Sequence, residues 1–224
     1  MKMKNSKQIE AIRSDNPSLK LPFESPVSLH GATIHCADFL DVLNDIPDQS
    51  IELAIVDPPY RENFGLYFEA IRRVVKQNGS ILWFVNPNEI WMLPQARQVM
   101  IWIEPSSLKP IKKEKKDYKV FVDLIAWYAY GDYTFNKLKL WNLMDGKFYD
   151  TVIVGYQRRH KWQKPKALLD KLILVHSNEG DKIFEPFCGS GVGCESAIDL
   201  KRKYIGCELD KEEFSKLIEH IRSC

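Results

Sequence analysis

At 224 residues the chain has the length of one compact domain with a modest insertion, and its 45% apolar, 28% charged and 12% aromatic residues exclude a disordered or collagen-like polymer. Thirty-two basic residues against 30 acidic ones leave a formal net charge of +2, so a polyanion site has to be a local patch. Five cysteines without a CxxC, no apolar stretch in the first twenty residues and no membrane-length apolar run exclude a disulfide scaffold, a zinc ribbon and a membrane span, and fit a soluble protein of the reducing cytoplasm.

Residues 1–27 are charged, carry prolines at 17, 22 and 26, and read as a loosely attached arm with a short helical possibility at 8–13. Apolar runs then alternate with helical patterns: a strand at 32–36, a helix near 39–43, a strand at 51–56, a helix near 64–75 and a strand at 80–85. Alternation of this kind predicts a parallel sheet covered by helices. Apolar runs at 98–103 and 120–130 flank a lysine-rich stretch, and a less regular segment follows from Gly131 to His160, so a small basic insertion is expected at about 105–162. The last third predicts a helix at 165–176, a strand KIFEPF, a glycine turn, a helix to about Lys201, the strand YIGCEL and a final helix.

Gly189, Gly191 and Gly193 stand directly after an apolar strand and before a helix, where a ligand of the nucleotide type can approach the backbone closely. Glu208 lies at the end of the next predicted strand, placed to accept hydrogen bonds from ribose hydroxyls. The unit therefore reads as adenosine-binding. Cys194 occupies the place of the third glycine in the dinucleotide pattern, which weakens a nicotinamide or flavin reading.

The strand at 51–56 runs into Asp57-Pro58-Pro59-Tyr60, where two prolines stiffen the chain at a strand's carboxyl end. Open α/β sheets hold their ligands at that end. Asp57 supplies a carboxylate, Pro58 a free carbonyl and Tyr60 an aromatic face. Two acceptors gripping the protons of an exocyclic amine help its delocalised lone pair turn toward an electrophile, while the ring stacks on the base. Such catalysis is positioning plus electrostatics and requires no histidine base.

With DPPY at 57–60 preceding FxGxG at 187–191, the chain resembles the β-class DNA amino-methyltransferases that use S-adenosylmethionine, over about residues 28–222. ATIHCADFLDVLNDIPDQSIELAIVDPPY, HKWQKP and IGCELD agree with the same family in the same order. The resemblance implies an α/β Rossmann-like methyltransferase fold: a mostly parallel seven-stranded sheet with helices on both faces and a circularly permuted motif order. It implies that Asp57, Pro58, Pro59 and Tyr60 hold the target amine and base. It further implies that Asp38, Asp57, Gln163, Lys164, Pro165, Glu185, Pro186, Phe187, Cys188, Gly189, Ser190, Gly191, Glu208 and Leu209 line the S-adenosylmethionine site. The chain departs from the family's usual residues at several points. Glu185 stands for an aspartate, Val192 and Gly193 for threonines, HKWQKP for HPTQKP, and Glu104 for a lysine after the motif's tryptophan.

The stretch 109–119 carries six lysines against Glu114 and Asp117, and 157–166 adds Arg158, Arg159, Lys161, Lys164 and Lys166 with no acid. Lys112, Lys113, Lys115, Lys116, Arg158, Arg159 and Lys161 are the candidates for phosphate contacts with double-stranded DNA. Tyr130, Tyr133, Phe135, Trp141 and Tyr149 read as core more readily than as base-stacking groups. The five histidines are scattered without zinc-finger spacing, and no metal is expected. The leading expectation is N6-adenine methylation of a flipped-out base in DNA, with a cognate restriction nuclease and a homodimer as compatible partners. N4-cytosine or RNA methylation and a non-catalytic nucleic-acid-binding derivative are the alternatives.

Overall fold

The computed structural model describes residues 25–59, 64–103, 122–136 and 163–224. Its apolar runs form one eight-stranded sheet: β1 (Val27–Leu29), β2 (Ala32–His35), β3 (Ile51–Val56), β4 (Val75–Val85), β5 (Gln98–Ile103), β6 (Val122–Ala129), β7 (Lys182–Glu185) and β8 (Lys203–Cys207). The spatial order is β1-β2-β8-β7-β3-β4-β6-β5. Strands β2, β8, β7, β3 and β4 are mutually parallel, whereas β6 runs antiparallel to both β4 and β5. The seven expected strands are β2 to β8. The eighth, β1, is a three-residue edge strand turned back onto β2 through His30 and Gly31, both at positive φ. Three residues following a proline are too few for an alternation signal, which is why β1 was not legible.

Helices α1 (Phe39–Leu43), α2 (Phe64–Val74), α3 (Lys166–His176), α4 (Val192–Asp199) and α5 (Lys211–Ser223) cover both faces. Phe64, Phe68, Ile71 and Val74 form the buried stripe of α2 and join α1 over the face carrying Ile51, Ala54, Val56, Ile81, Trp83 and Val85. Leu53, Ile55, Leu82 and Phe84 point the other way and meet α3, α4 and α5. This in-and-out alternation on strands buried from both sides explains their continuous apolar runs. Helix α5 starts at Asp210, whose carboxylate accepts the N–H groups of Glu212 and Glu213, and buries Phe214, Leu217, Ile218 and Ile221. Each such side chain contributes ~1.5–3 kcal/mol of burial, enough to hold an otherwise polar helix. Among the described residues no helix is long and apolar enough to cross a membrane.

The order positions the site. From β3 the chain crosses through α2 to β4 on one side, and from β7 it crosses through α4 to β8 on the other. Strands β3 and β7 are neighbours, with Leu53 opposite Ile183 and Ala54 opposite Phe184. Their carboxyl ends therefore open a crevice at a topological switch point, where α/β sheets bind ligands.

Candidate active site

Asp57 leaves the carboxyl end of β3 half-buried, followed by a buried Pro58 and an exposed Pro59. Neither proline has an N–H to continue a strand ladder, so the backbone is released into the crevice. Asp57 Oδ2 accepts a hydrogen bond from Lys164 Nζ at 2.7 Å. The lysine lies just before Pro165, the cap of α3. Its ammonium also stands 4.0 Å from Asp123 Oδ2 on β6, 5.0 Å from the Phe84 ring centre and 5.9 Å from that of Trp102. Burial raises the Asp123 carboxyl above its usual range; Lys164 opposes that shift and Asp57 adds to it. With Asp57 Oδ2 bonded to the ammonium, the Asp57 carboxylate retains acceptor lone pairs suited to gripping the protons of an amine.

Beside this corner, β7 runs into the glycine turn. The Cys188 N–H donates to the Cys207 carbonyl at 2.9 Å, and the Gly189 N–H to Glu208 Oε2 at 2.9 Å. The other Glu208 oxygen accepts the Asp210 N–H at 2.8 Å. Burial raises the Glu208 carboxyl while these two backbone donors hold it down. Gly191 (φ 78°) caps α4 in the left-handed region, and a Cβ there would sit 2.7 Å from Leu217 Cγ. Both constraints demand glycine. A Cβ on Gly189 would meet nothing within 4 Å, so the turn faces open space. Phe187 is packed against Phe39 at 4.9 Å and Tyr67 at 6.0 Å. Asp38 caps α1 by accepting the Leu40 N–H at 2.9 Å.

Below the turn, Glu185 is fully enclosed. Its Oε2 accepts from the Tyr204 hydroxyl at 2.5 Å, and burial pushes its carboxyl up to about 8 with Tyr204 opposing. A Cβ built on Gly193 would lie 2.0 Å from Glu185 Oε2. The longer acid and the missing side chain on α4 thus occupy one shared space.

Residues 51–219 match the family model described as DNA methylase, N6_N4_Mtase. The chain belongs to this DNA methylase family. It is 30% identical to the DNA adenine methyltransferase YhdJ of Escherichia coli (strain K12), over 80% of this chain and 79% of that protein. It is 26% identical to the Type II methyltransferase M.HpaI of Haemophilus parainfluenzae, over 84% of this chain and 73% of the relative. Among solved structures, the fold is similar to that of the M1.HpyAVI complex with SAM (TM-score 0.68, 20% identity, 84% of this chain and 99% of that one). It is also similar to that of the cytosine-N4-specific PvuII DNA methyltransferase (TM-score 0.64, 16% identity, 86% and 93%).

In this methylase, the sheet brings Asp57, Lys164, Glu185, the glycine turn and Glu208 to neighbouring strand ends, although residues 57 and 185 are far apart in the chain. Gln163 and Pro165 are buried beside Lys164 in sequence, and Leu209, 66% exposed, follows Glu208. Asp38 spends one carboxylate oxygen on its cap, and Phe39 next to it carries the contact to Phe187. Tyr60, Lys112, Lys113, Lys115, Lys116, Arg158, Arg159 and Lys161 lie outside the described residues, as do Trp141 and Tyr149. Lys166 is ion-paired with Asp170 and Asp199 at 3.0 and 2.9 Å. Like Lys164 it is paired with carboxylates of the chain itself, so the basic character of 157–166 narrows to its first half. Tyr133 and Phe135 pack on Trp127, at 5.3 Å each, in keeping with the core reading. The sequence reasoning missed Asp123, Tyr204 and the meaning of Gly193. An acid inside the apolar run VFVDLIAW was the available signal for the first; the other two needed the sheet register.

Proposed function

We propose that the protein transfers a methyl group from S-adenosylmethionine to the exocyclic N6 amine of adenine in DNA, acting on a base turned out of the duplex. The observation that carries this reading is the switch-point crevice, where the Asp57-Pro58-Pro59 corner stands beside the glycine turn and Glu208. The open face of Gly189, the carboxylate at the end of β8 and the exposed apolar Leu209 after it fit an adenosine moiety. Glu208 and Leu209 would hold the ribose and adenine, the turn from Pro186 to Gly191 would line the cleft, and Gln163, Lys164 and Pro165 would border its methionine end. When bound, S-adenosylmethionine supplies an electrophilic methyl group.

The Asp57 carboxylate and the Pro58 carbonyl accept hydrogen bonds from the two amine protons and draw the nitrogen lone pair out of the ring. Tyr60 stacks on the base and fixes its plane. Lys164 holds the Asp57 carboxylate through their 2.7 Å bond and keeps it oriented before substrate arrives. As the carbon–nitrogen bond forms and the methyl–sulfur bond breaks to leave a thioether, the surplus amine proton passes to solvent, so Asp57 serves as hydrogen-bond acceptor and positioner. Residues 104–121 and 137–162 contain the basic candidates and would contact phosphates and the target sequence, whereas β6, between them, belongs to the sheet. Duplex DNA is the partner this reading requires; a cognate restriction nuclease, a homodimer and a cytoplasmic location extend it.

Incubation with labelled S-adenosylmethionine and unmethylated DNA, followed by digestion to nucleosides, tests the proposal. Label in N6-methyladenine is expected. Label in N4-methylcytosine would move the target to the second reading, which the similarity to the PvuII enzyme keeps in view. Transfer to RNA alone would overturn DNA as substrate.

A further inference from the structure

Past the glycine turn in the chain, three donor side chains converge from α4 and the end of α5. Glu195 lies in the first turn of α4, and His220 and Cys224 are four residues apart at the end of α5. His220 Nε2 is 2.8 Å from Glu195 Oε2 and 3.5 Å from Cys224 Sγ, and the three donor atoms lie within 4.8 Å of one another. A nucleophilic cysteine relay would use both ring nitrogens of the histidine, one toward the thiol and one toward the acid. Here the sulfur and the carboxylate oxygen approach the same nitrogen, so three atoms able to ligate a cation share one small volume once that nitrogen is deprotonated. That is the donor arrangement of a metal site.

We propose that Glu195, His220 and Cys224 form a zinc site that ties α4 to α5. One carboxylate, one imidazole and one thiolate are the donor types of zinc, and their summed charge of about −2 neutralises the ion. Tetrahedral bonds of ~2.0–2.3 Å place donors ~3.3–3.8 Å apart. The separations from His220, 2.8 and 3.5 Å, lie below and within that range and the third is at most 4.8 Å, so side-chain shifts on the order of 1 Å suffice. Water would complete the coordination. The Glu195 N–H donates to the Gly191 carbonyl at 2.9 Å, and Gly191 rests on Leu217 of α5. The ion would therefore brace the glycine turn from behind, in a structural role distinct from the methyl-transfer corner. The scattered spacing of histidines hid the site, because its acid comes from a different helix.

The test uses the untagged 224-residue chain stripped with a chelator. Zinc is titrated in competition with a chromophoric chelator, and cobalt is added separately to read the sulfur-to-metal charge-transfer band. One equivalent of tightly held zinc and a cobalt band that disappears in Cys224→Ser are expected. Glu195→Gln and His220→Ala should each weaken zinc by about tenfold or more. Zinc should also raise the thermal midpoint of the wild type and leave that of Cys224→Ser unchanged. Cys224 is exposed, so this variant remains a fair control if His220→Ala folds poorly. Absence of stoichiometric binding, or a cobalt band and zinc affinity unchanged in Cys224→Ser, would overturn the site.

Discussion

The shared space between Glu185 and Gly193 makes a double-mutant cycle the sharpest test of the packing beneath the glycine turn. In Gly193→Ala the new methyl would lie 2.0 Å from Glu185 Oε2, 2.7 Å from its Cδ and 2.9 Å from Oε1. The carboxyl has to give way. Overpacking costs ~1–3 kcal/mol, and loss of the buried Tyr204 bond another ~1–3 kcal/mol. Better helix propensity returns only ~1 kcal/mol, leaving a net loss on the order of 3 kcal/mol. Glu185→Asp alone removes one methylene, costing ~1 kcal/mol, and draws the carboxyl away from Tyr204. In the double variant the shorter acid vacates the space that the methyl takes. Its destabilisation should fall short of the sum of the singles by about 2 kcal/mol. Urea unfolding of the four proteins, followed by fluorescence and circular dichroism together, measures the coupling. Additivity within ~0.5 kcal/mol would refute the claim that the two residues compete for one volume.

The same acid sets a pH dependence. Its folded-state value of about 8 exceeds the ordinary 4.5, so between these limits the folded state keeps a proton that the unfolded state releases. Its contribution is full below the ordinary value and is lost as pH rises through about 8, at up to ~1.4 kcal/mol per unit. Glu185→Gln should flatten stability over that window, and an unchanged pH profile in denaturant melts would reassign the effect. Glu208→Ala leaves the Gly189 N–H without its acceptor and should weaken S-adenosylmethionine by about tenfold or more in calorimetry, whereas unaltered affinity would remove Glu208 from the cofactor site. Neutralising Lys112, Lys113, Lys115 and Lys116 should lower the log-log salt slope of DNA binding by up to about 0.9 for each phosphate that the protein ceases to neutralise. An identical slope would place that loop away from the duplex.

How far the sequence was legible follows from the range of the signals. The strands at Ile51–Val56 and Gln98–Ile103 were readable to the residue because each is a short, mainly apolar stretch, interrupted only by Glu52 or opened by Gln98, between polar residues. Strand β4 begins five residues earlier than its apolar run suggested, since Val75 already pairs with Ile51, whereas Lys76, Gln77 and Asn78 span an irregularity before the ladder resumes at Ser80. Asp57 and the glycine turn were recognisable from local chemistry. What local signals did not give is the strand order that makes them neighbours, with β7 inserted between β8 and β3 after a long chain excursion. For the same reason Glu185 read as a conservative change until Gly193 and Tyr204 were seen around it. Asp123 was hidden among apolar neighbours until β6 carried it to Lys164.

In the proposed mechanism, methyl transfer rests on an amine-gripping corner and a cofactor cleft that stand side by side as separable parts. Asp57→Ala addresses that separation, with S-adenosylmethionine affinity measured by equilibrium dialysis and methyl transfer to DNA measured on the same preparation. Transfer should be abolished while affinity changes by less than about threefold, a difference of about 0.6 kcal/mol. Loss of cofactor binding in parallel with transfer, or transfer that survives without the carboxylate, would show that the two parts are not divided in this way.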